Sequence, residues 1–286
     1  MWTGPIAASV LVKSAFEEEK VAKFLRINNG DGRLSINTWM RPKKLRVHYP
    51  VNVMRNLATE QAKTEVIFPI GVDFLPSRGL HAFLKRLASE GLFVGRGAFA
   101  VPSFEVAKST TVPRTKQEML AAIERKLAKP SLSRGDPSST DGVWEIAHVN
   151  FIDYPKWYAT NHELYERPIE FHNEPYVVVN RSQPCFPDFD ERFIYYGADK
   201  VEQIYHLSTR GWRFFVLPLH FVVHVQHASA AWHSTERSES EGKIAELIRL
   251  IKQERGNTEC SCREDLFSLG ALNRIVADAT NYSSQQ

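Results

Sequence analysis

The sequence predicts an α/β fold, with a mostly parallel, Rossmann-like sheet carrying helices on both faces and an irregular second half. Three observations point there. Apolar runs of strand length alternate with amphipathic helical segments through roughly the first 130 residues. Two of those helices open on Ser/Thr-x-x-Glu capping boxes, Ser14 to Glu17 and Thr115 to Glu118. Past Asp141 the pattern changes, and short apolar strands alternate with polar and aromatic segments.

Taken in order, GPIAASVLV (Gly4 to Val12) has the length and composition of a strand, and SAFEEEKVAKFLR continues as a helix with Phe16, Val21, Phe24 and Leu25 as its apolar residues. KLRVHYP reads as the next strand, NVMRNLATEQA as a helix and TEVIFPI as a strand. A helix then starts at Ser77 with Leu80, Phe83, Leu84 and Leu87 on one face. GAFAVPSF is another strand. The Thr115 helix follows, with Met119, Leu120, Ile123 and Leu127 as its inner stripe. PSLSRGDPSST is a loop, PYVVVN and RFFVLPL are strands, and SEGKIAELIRLIKQERG is an amphipathic helix ended by Gly256. With no internal repeat and no composition shift, one domain is expected over 1–286: a first half to about 130, a second from about 140 to 256, and a tail over 257–286.

Composition narrows the function. A net charge of +3, without long Lys/Arg tracts, argues against a nucleic-acid partner, and RPKKLR (Arg41 to Arg46) reads as a solvated connection. Cys185, Cys260 and Cys262 fit no zinc pattern, and the last two sit too close for an easy mutual disulfide, which leaves the redox compartment open. No apolar run approaches the ~20 residues of a membrane span. From this no anchor is expected within these residues.

Four groups could carry chemistry. VIFPIGVDFLP delivers one acid, Asp73, to the expected tip of a buried strand, where a carboxylate can ligate a hard cation that bridges a pyrophosphate. Arg55 and Asn56, in the first turns of the helix after KLRVHY, suit a nucleotide's base or phosphates; the plainer alternative is an exposed basic residue and a helix-start amide. In LPLHFVVHVQHASA the strand period of two sets His220 and His224 on one face, with His227 past the strand end. One imidazole among carboxylate and phosphate oxygens suits Mn²⁺ better than Mg²⁺. Last, Glu174 opens EPYVVV, and Asp190, Glu191 and Asp199 gather around aromatics, a setting for sugar hydroxyls and ring faces or for an ordinary helix start.

WTGPIAASVLV, YPVNVMRNLA, GVDFLPSRGL, AVPSFEV, PRTKQEML, EPYVVV, FDERFIYYGADK and FVVH, in this order, resemble the glycosyltransferase family 49 domain, and the match runs to near Gly256. The resemblance implies a GT-A fold that takes a UDP-sugar, UDP-glucuronic acid first, and extends a glycan or glycoprotein acceptor, xylose-type among them, with inversion. It also implies a divalent cation, usually Mn²⁺. The family's Asp-x-Asp motif falls on Gly71-Val72-Asp73, so only the second acid is present. Asp73 and His224 are the implied metal ligands, and Arg55, Asn56 and Asp73 the donor-binding residues. For the base the resemblance favours Glu174, then Asp190, while many GT-A enzymes place theirs where this chain has Asp199-Lys200. The missing acid keeps a second expectation open, a weakened or inactive domain that binds glycans or a partner. Family members are Golgi membrane proteins with lumenal domains, so a lumenal fragment or an incomplete gene product is expected here.

Overall fold

A computed structural model describes residues 2–41, 49–107, 110–131, 149–170, 173–193, 199–225, 249–250, 253 and 268–283. The chain runs β1 (Ile6–Val12), α1 (Ala15–Asn28), β2 (Leu34–Met40), α2 (Val51–Glu60), β3 (Val66–Ile67), β4 (Phe74–Pro76), α3 (Leu80–Ser89), β5 (Gly97–Val101), β6 (Ser103–Val106) and α4 (Lys116–Glu124). It continues with β7 (Ala128–Pro130), α5 (Val149–Ile152), α6 (Tyr154–Ala159), β8 (Tyr165–Arg167), β9 (Tyr176–Asn180), α7 (Val201–Thr209), β10 (Arg213–Val216), β11 (Val222–His224) and α8 (Leu269–Ser283).

The α/β class is as expected, and the sheets are mixed. Among the described residues β1 and β2 form a parallel pair, β3-β9-β5-β10-β8 a five-stranded sheet and β4-β11-β6-β7 a four-stranded one. Among the described residues the pairs β1·β2, β5·β10 and β6·β11 are parallel and the other ladders antiparallel. One proline explains the division into two sheets. Pro102 has no N–H to give a ladder, so GAFAVPSF breaks into β5 and β6, each of which joins a different sheet. The neighbouring strand makes the same passage from β10 to β11, which carries His224 to the end of the smaller sheet.

The five-stranded sheet is covered on both faces, which is why its strands read as unbroken apolar runs. Ala98, Ala100, Val177, Val179, Phe214 and Val216 face one core with Met119 of α4, Trp157 of α6 and Leu207 of α7. The alternate residues Phe99, Val101, Tyr176, Val178 and Phe215 face a second core with Phe83 and Leu87 of α3 and Val276 of α8. Each fully buried large side chain here is worth ~1.5–3 kcal/mol. Lys116, at the start of α4, is buried yet donates to the Trp157, Thr160 and Pro218 carbonyls, so its three N–H groups are matched.

Several expectations shift. The second strand is LSINTWM at β2, whereas KLRVHYP falls largely on 42–48, outside the described residues. TEVIFPI pairs only at Val66 and Ile67, opposite Asn180 and Val179, because Pro69 cannot extend the ladder. Asp73 therefore does not end a buried strand. It sits in a turn, closed by the Phe74 N–H on the Gly71 carbonyl at 3.2 Å, immediately before β4. On α1, Val21 and Leu25 are half-buried while Phe16 and Phe24 are exposed. The α4 capping box forms in full, but the helix stops at Glu124 and Leu127 is exposed. The amphipathic helix expected before Gly256 lies almost entirely outside the described residues, as do His227, Cys260 and Cys262.

Candidate active site

Backbone pairing assembles the first half of the site. β11 runs antiparallel to β4 with His224 opposite Phe74, and the Val225 N–H donates to the Asp73 carbonyl at 2.7 Å. That register brings the two side chains together, with His224 Nε2 2.8 Å from Asp73 Oδ2 and the side chains 20% and 30% exposed. Because β6 and β11 are parallel and both end here, the pair lies at strand carboxyl ends, the usual place for a ligand in α/β sheets. Adjacent ligands on an octahedral cation with ~2.1 Å bonds stand ~3 Å apart, so one carboxylate oxygen and one imidazole nitrogen already have the spacing of two such corners. No group of three or more His, Cys, Asp or Glu gathers for a metal among the described residues. A cation bound by this pair would take its other ligands from substrate oxygens and water.

Gly71 borders this pair directly. A Cβ placed there would come within 2.5 Å of Asp73 Oδ1 and 3.2 Å of the Phe74 ring. The space that a motif acid would use is thus filled by the next acid's own carboxylate.

From His224 an aromatic series leads across the site. Phe74 packs on His224 at 5.2 Å and on Tyr176, the first residue of β9, at 4.6 Å. Lys200 donates to the Tyr176 hydroxyl at 3.3 Å and forms an ion pair with Glu174. Burial alone would lower the Lys200 pKa, but the nearby Glu174, Tyr176 and Asp199 more than reverse this and raise it, so the lysine is held as ammonium. Burial is the main reason that the Tyr176 hydroxyl is pushed up.

The preceding residue continues the charge pattern. Asp199 Oδ2 accepts from Arg55 Nη1 at 2.5 Å, and the same Nη1 donates to Asn52 Oδ1 at 2.8 Å. Glu174, Lys200, Asp199 and Arg55 therefore alternate in sign, and the second of them, Lys200, is linked through Tyr176 and Phe74 to the Asp73–His224 pair.

Of the residues singled out in the sequence, Asp73, His224, Glu174, Asp199 and Arg55 meet in this series. Others do not. His220 precedes β11, after the bend at Pro218 and Leu219, so the two histidines do not share a strand face. It is buried against Phe83, pairs with Ser77 Oγ at 2.9 Å, and burial pushes its pKa down to about 3. Asn56 is tied to the chain: its amide donates to the Phe189 carbonyl and to Glu191 Oε1, both at 2.9 Å, and its oxygen accepts the Phe189 N–H. Asp190 is gripped by Arg192 through both oxygens. Burial works to raise its pKa, but the hydrogen bonds and charge of Arg192 lower it overall, which disfavours proton uptake. Asn52, Tyr176 and Glu202 were not foreseen. Tyr176 sits inside EPYVVV, so its place in a strand was legible but not its direction; Asn52 and Glu202 carried no signal beyond lying on expected helices.

Residues 5–256 match the family model described as "Glycosyl-transferase for dystroglycan". The chain is 31% identical over 242 residues to the Glycosyltransferase-like protein gnt14 of Dictyostelium discoideum, covering 81% of this chain and 34% of the relative. It is 29% identical to the Xylosyl- and glucuronyltransferase LARGE1 of Mus musculus over 259 residues and of Homo sapiens over 260, in each case 88% of this chain and 32% of the relative. The chain thus spans about a third of the length of the curated relatives it matches.

Proposed function

This chain belongs to the glycosyltransferase 49 family, and from that premise we propose that it is a metal-dependent inverting transferase that moves glucuronic acid from UDP to a hydroxyl of a glycan acceptor, xylose-terminated in the first instance. The observation that carries the reading is the Asp73–His224 pair, 2.8 Å apart, joined through Phe74 and Tyr176 to the Glu174–Lys200 ion pair. Asp73 and His224 would hold the divalent cation, Mn²⁺ by their mixed oxygen and nitrogen character. When bound, such an ion neutralises charge growing on the UDP leaving group. Glu174 takes the proton from the attacking hydroxyl as the new carbon–oxygen bond forms and the bond to the diphosphate breaks, the electron pair leaving with UDP. Lys200 pairs with Glu174 and aims it, and half-buried Phe74, backed by Tyr176, offers a ring face to a sugar. Cys185 is disulfide-bonded, which suits the oxidising Golgi lumen that the family resemblance implies. Among the described residues no helix is long and apolar enough to cross a membrane.

Gly71 favours a second reading, a weakened or silent domain that binds glycans, because Asp73 and Phe74 occupy the place of the first acid. UDP release by the purified chain over a panel of UDP-sugars, with and without a xylose-terminated acceptor, separates the two. The transferase reading expects acceptor-dependent release from UDP-glucuronic acid. Silence with every donor, together with saturable glycan binding, would favour the second.

A further inference from the structure

Asn52 is fully buried in the first turn of α2, and its side chain holds together segments far apart in the sequence. The amide nitrogen faces the Asp190 carbonyl at 2.9 Å, the Asp199 carbonyl at 3.3 Å and Glu202 Oε1 at 3.1 Å. The amide oxygen accepts from Arg55 Nη1 at 2.8 Å, and that guanidinium also binds the Asp199 carboxylate. Glu202 Oε1 accepts in addition from the Asp190 N–H at 2.8 Å. Asp199 is thus held at its carbonyl by Asn52 and at its carboxylate by an arginine that Asn52 itself orients. The next residue is Lys200, which pairs with Glu174.

We propose that Asn52 is a positioning residue: by fixing Asp199 from both ends it sets the Lys200 ammonium against Glu174, and so determines the aim of that carboxylate. Only an amide meets these demands. Aspartate in its place would present oxygen to the two carbonyls and the Glu202 carboxyl, and leucine would leave the Arg55 guanidinium and two carbonyls without this partner. The positioning claim concerns the ion pair itself; its catalytic consequence rests on the reading of Glu174 as base.

Lysine acylation, read residue by residue by mass spectrometry, tests the positioning without requiring activity, because acylation needs a neutral, accessible amine. Wild-type protein treated with an acetyl ester should label Lys200 slowly, exposed Lys129 quickly and buried Lys116 slowly. In Asn52→Leu and Asn52→Asp, labelling of Lys200 should rise about tenfold or more while Lys116 stays protected, the signature of local release in a folded protein. Should Asn52→Leu fail to fold, Asn52→Asp and Arg55→Gln carry the same test. Lys200 protection unchanged in folded variants, fast labelling of Lys200 in the wild type, or Lys200 and Lys116 released only together would each overturn the proposal. In the active protein, Asn52→Asp should lower kcat while leaving the KM for the UDP-sugar near its original value. A catalytically silent chain that still releases Lys200 would contradict the transferase reading and leave Asn52's role standing.

Discussion

The two sides of the site are held in place by different means. Asp73 and His224 are set by main-chain register: a ladder between β4 and β11, a turn at Gly71, and the Val225 N–H on the Asp73 carbonyl. Glu174, Lys200, Asp199 and Arg55 are set by one another and by the buried side chains of Asn52 and Glu202. The first kind of placement survives loss of a side chain, because the backbone stays where it was. The second kind does not, since each member orients the next, and a carbonyl or charge left without its partner is costly. Substitutions at Asp73 should therefore remove binding with little structural effect, whereas those in the charged series should alter geometry and chemistry together.

The largest effect that this comparison predicts is at Glu174. Glu174→Gln removes the proposed proton acceptor and should lower turnover ~10²–10⁴-fold with donor affinity retained. Because Lys200 then loses its anionic partner, its acylation should also quicken. Near-normal turnover in this variant would move the base to Asp190 or Asp199, whose carboxylates are paired with Arg192 and Arg55 respectively.

His220 sharpens the other side, being close to His224 in sequence but outside the pair. Its folded pKa of about 3 lies below the ordinary 6.5, so between those values the unfolded chain binds the extra proton and the folded one does not. Stability from this group is complete above pH 6.5 and falls as pH drops toward 3, by ~1.4 kcal/mol for each unit. Denaturant titrations at stepped pH should show His220→Leu with a flatter acid limb than the wild type and with unchanged Mn²⁺·UDP binding. An acid limb as steep as before would assign the loss to other groups.

Gly71 should give the smallest effect and the most direct view of the missing acid. A side chain there displaces the Asp73 carboxylate or the Phe74 ring, so Gly71→Ala should lower the melting temperature by a few degrees, a loss of ~1 kcal/mol, and weaken Mn²⁺·UDP binding. In Gly71→Asp the two carboxylates repel in chelator but share a cation when one is supplied. Its melting temperature should fall below that of Gly71→Ala in chelator and recover with Mn²⁺. A Gly71→Asp protein that melts low in both conditions would favour the glycan-binding reading.

What the sequence made legible follows from the same contrast. Strands covered on both faces, such as GAFAV, YVVVN and RFFV, stand out as apolar runs, and the capping box at Thr115 marks its helix start. His224 was readable because it closes a short apolar strand, whereas Asp73 was found as a lone acid after an apolar run although it lies in a turn before β4. β2 was not, since LSINTWM is half-buried along nearly its whole length and neither alternates nor forms an apolar run. The breaks at Pro69 and Pro102 were present in the sequence, but their result, two mixed sheets, depends on partners more than 70 residues away. Asn52 was least legible of all. The contacts of its amide nitrogen lie 138 to 150 residues along the chain, where no local pattern can register them.

The central claim is that Asp73 and His224 form the cation-dependent donor site. Isothermal titration of UDP into the wild type and Asp73→Asn, each in Mn²⁺ and in chelator and each checked by a thermal melt, tests it directly. The account predicts saturable binding by the wild type in Mn²⁺ alone, weakened more than ~100-fold in Asp73→Asn although that variant melts within a few degrees of the wild type. UDP binding of equal strength in chelator, or undiminished in Asp73→Asn, would contradict it.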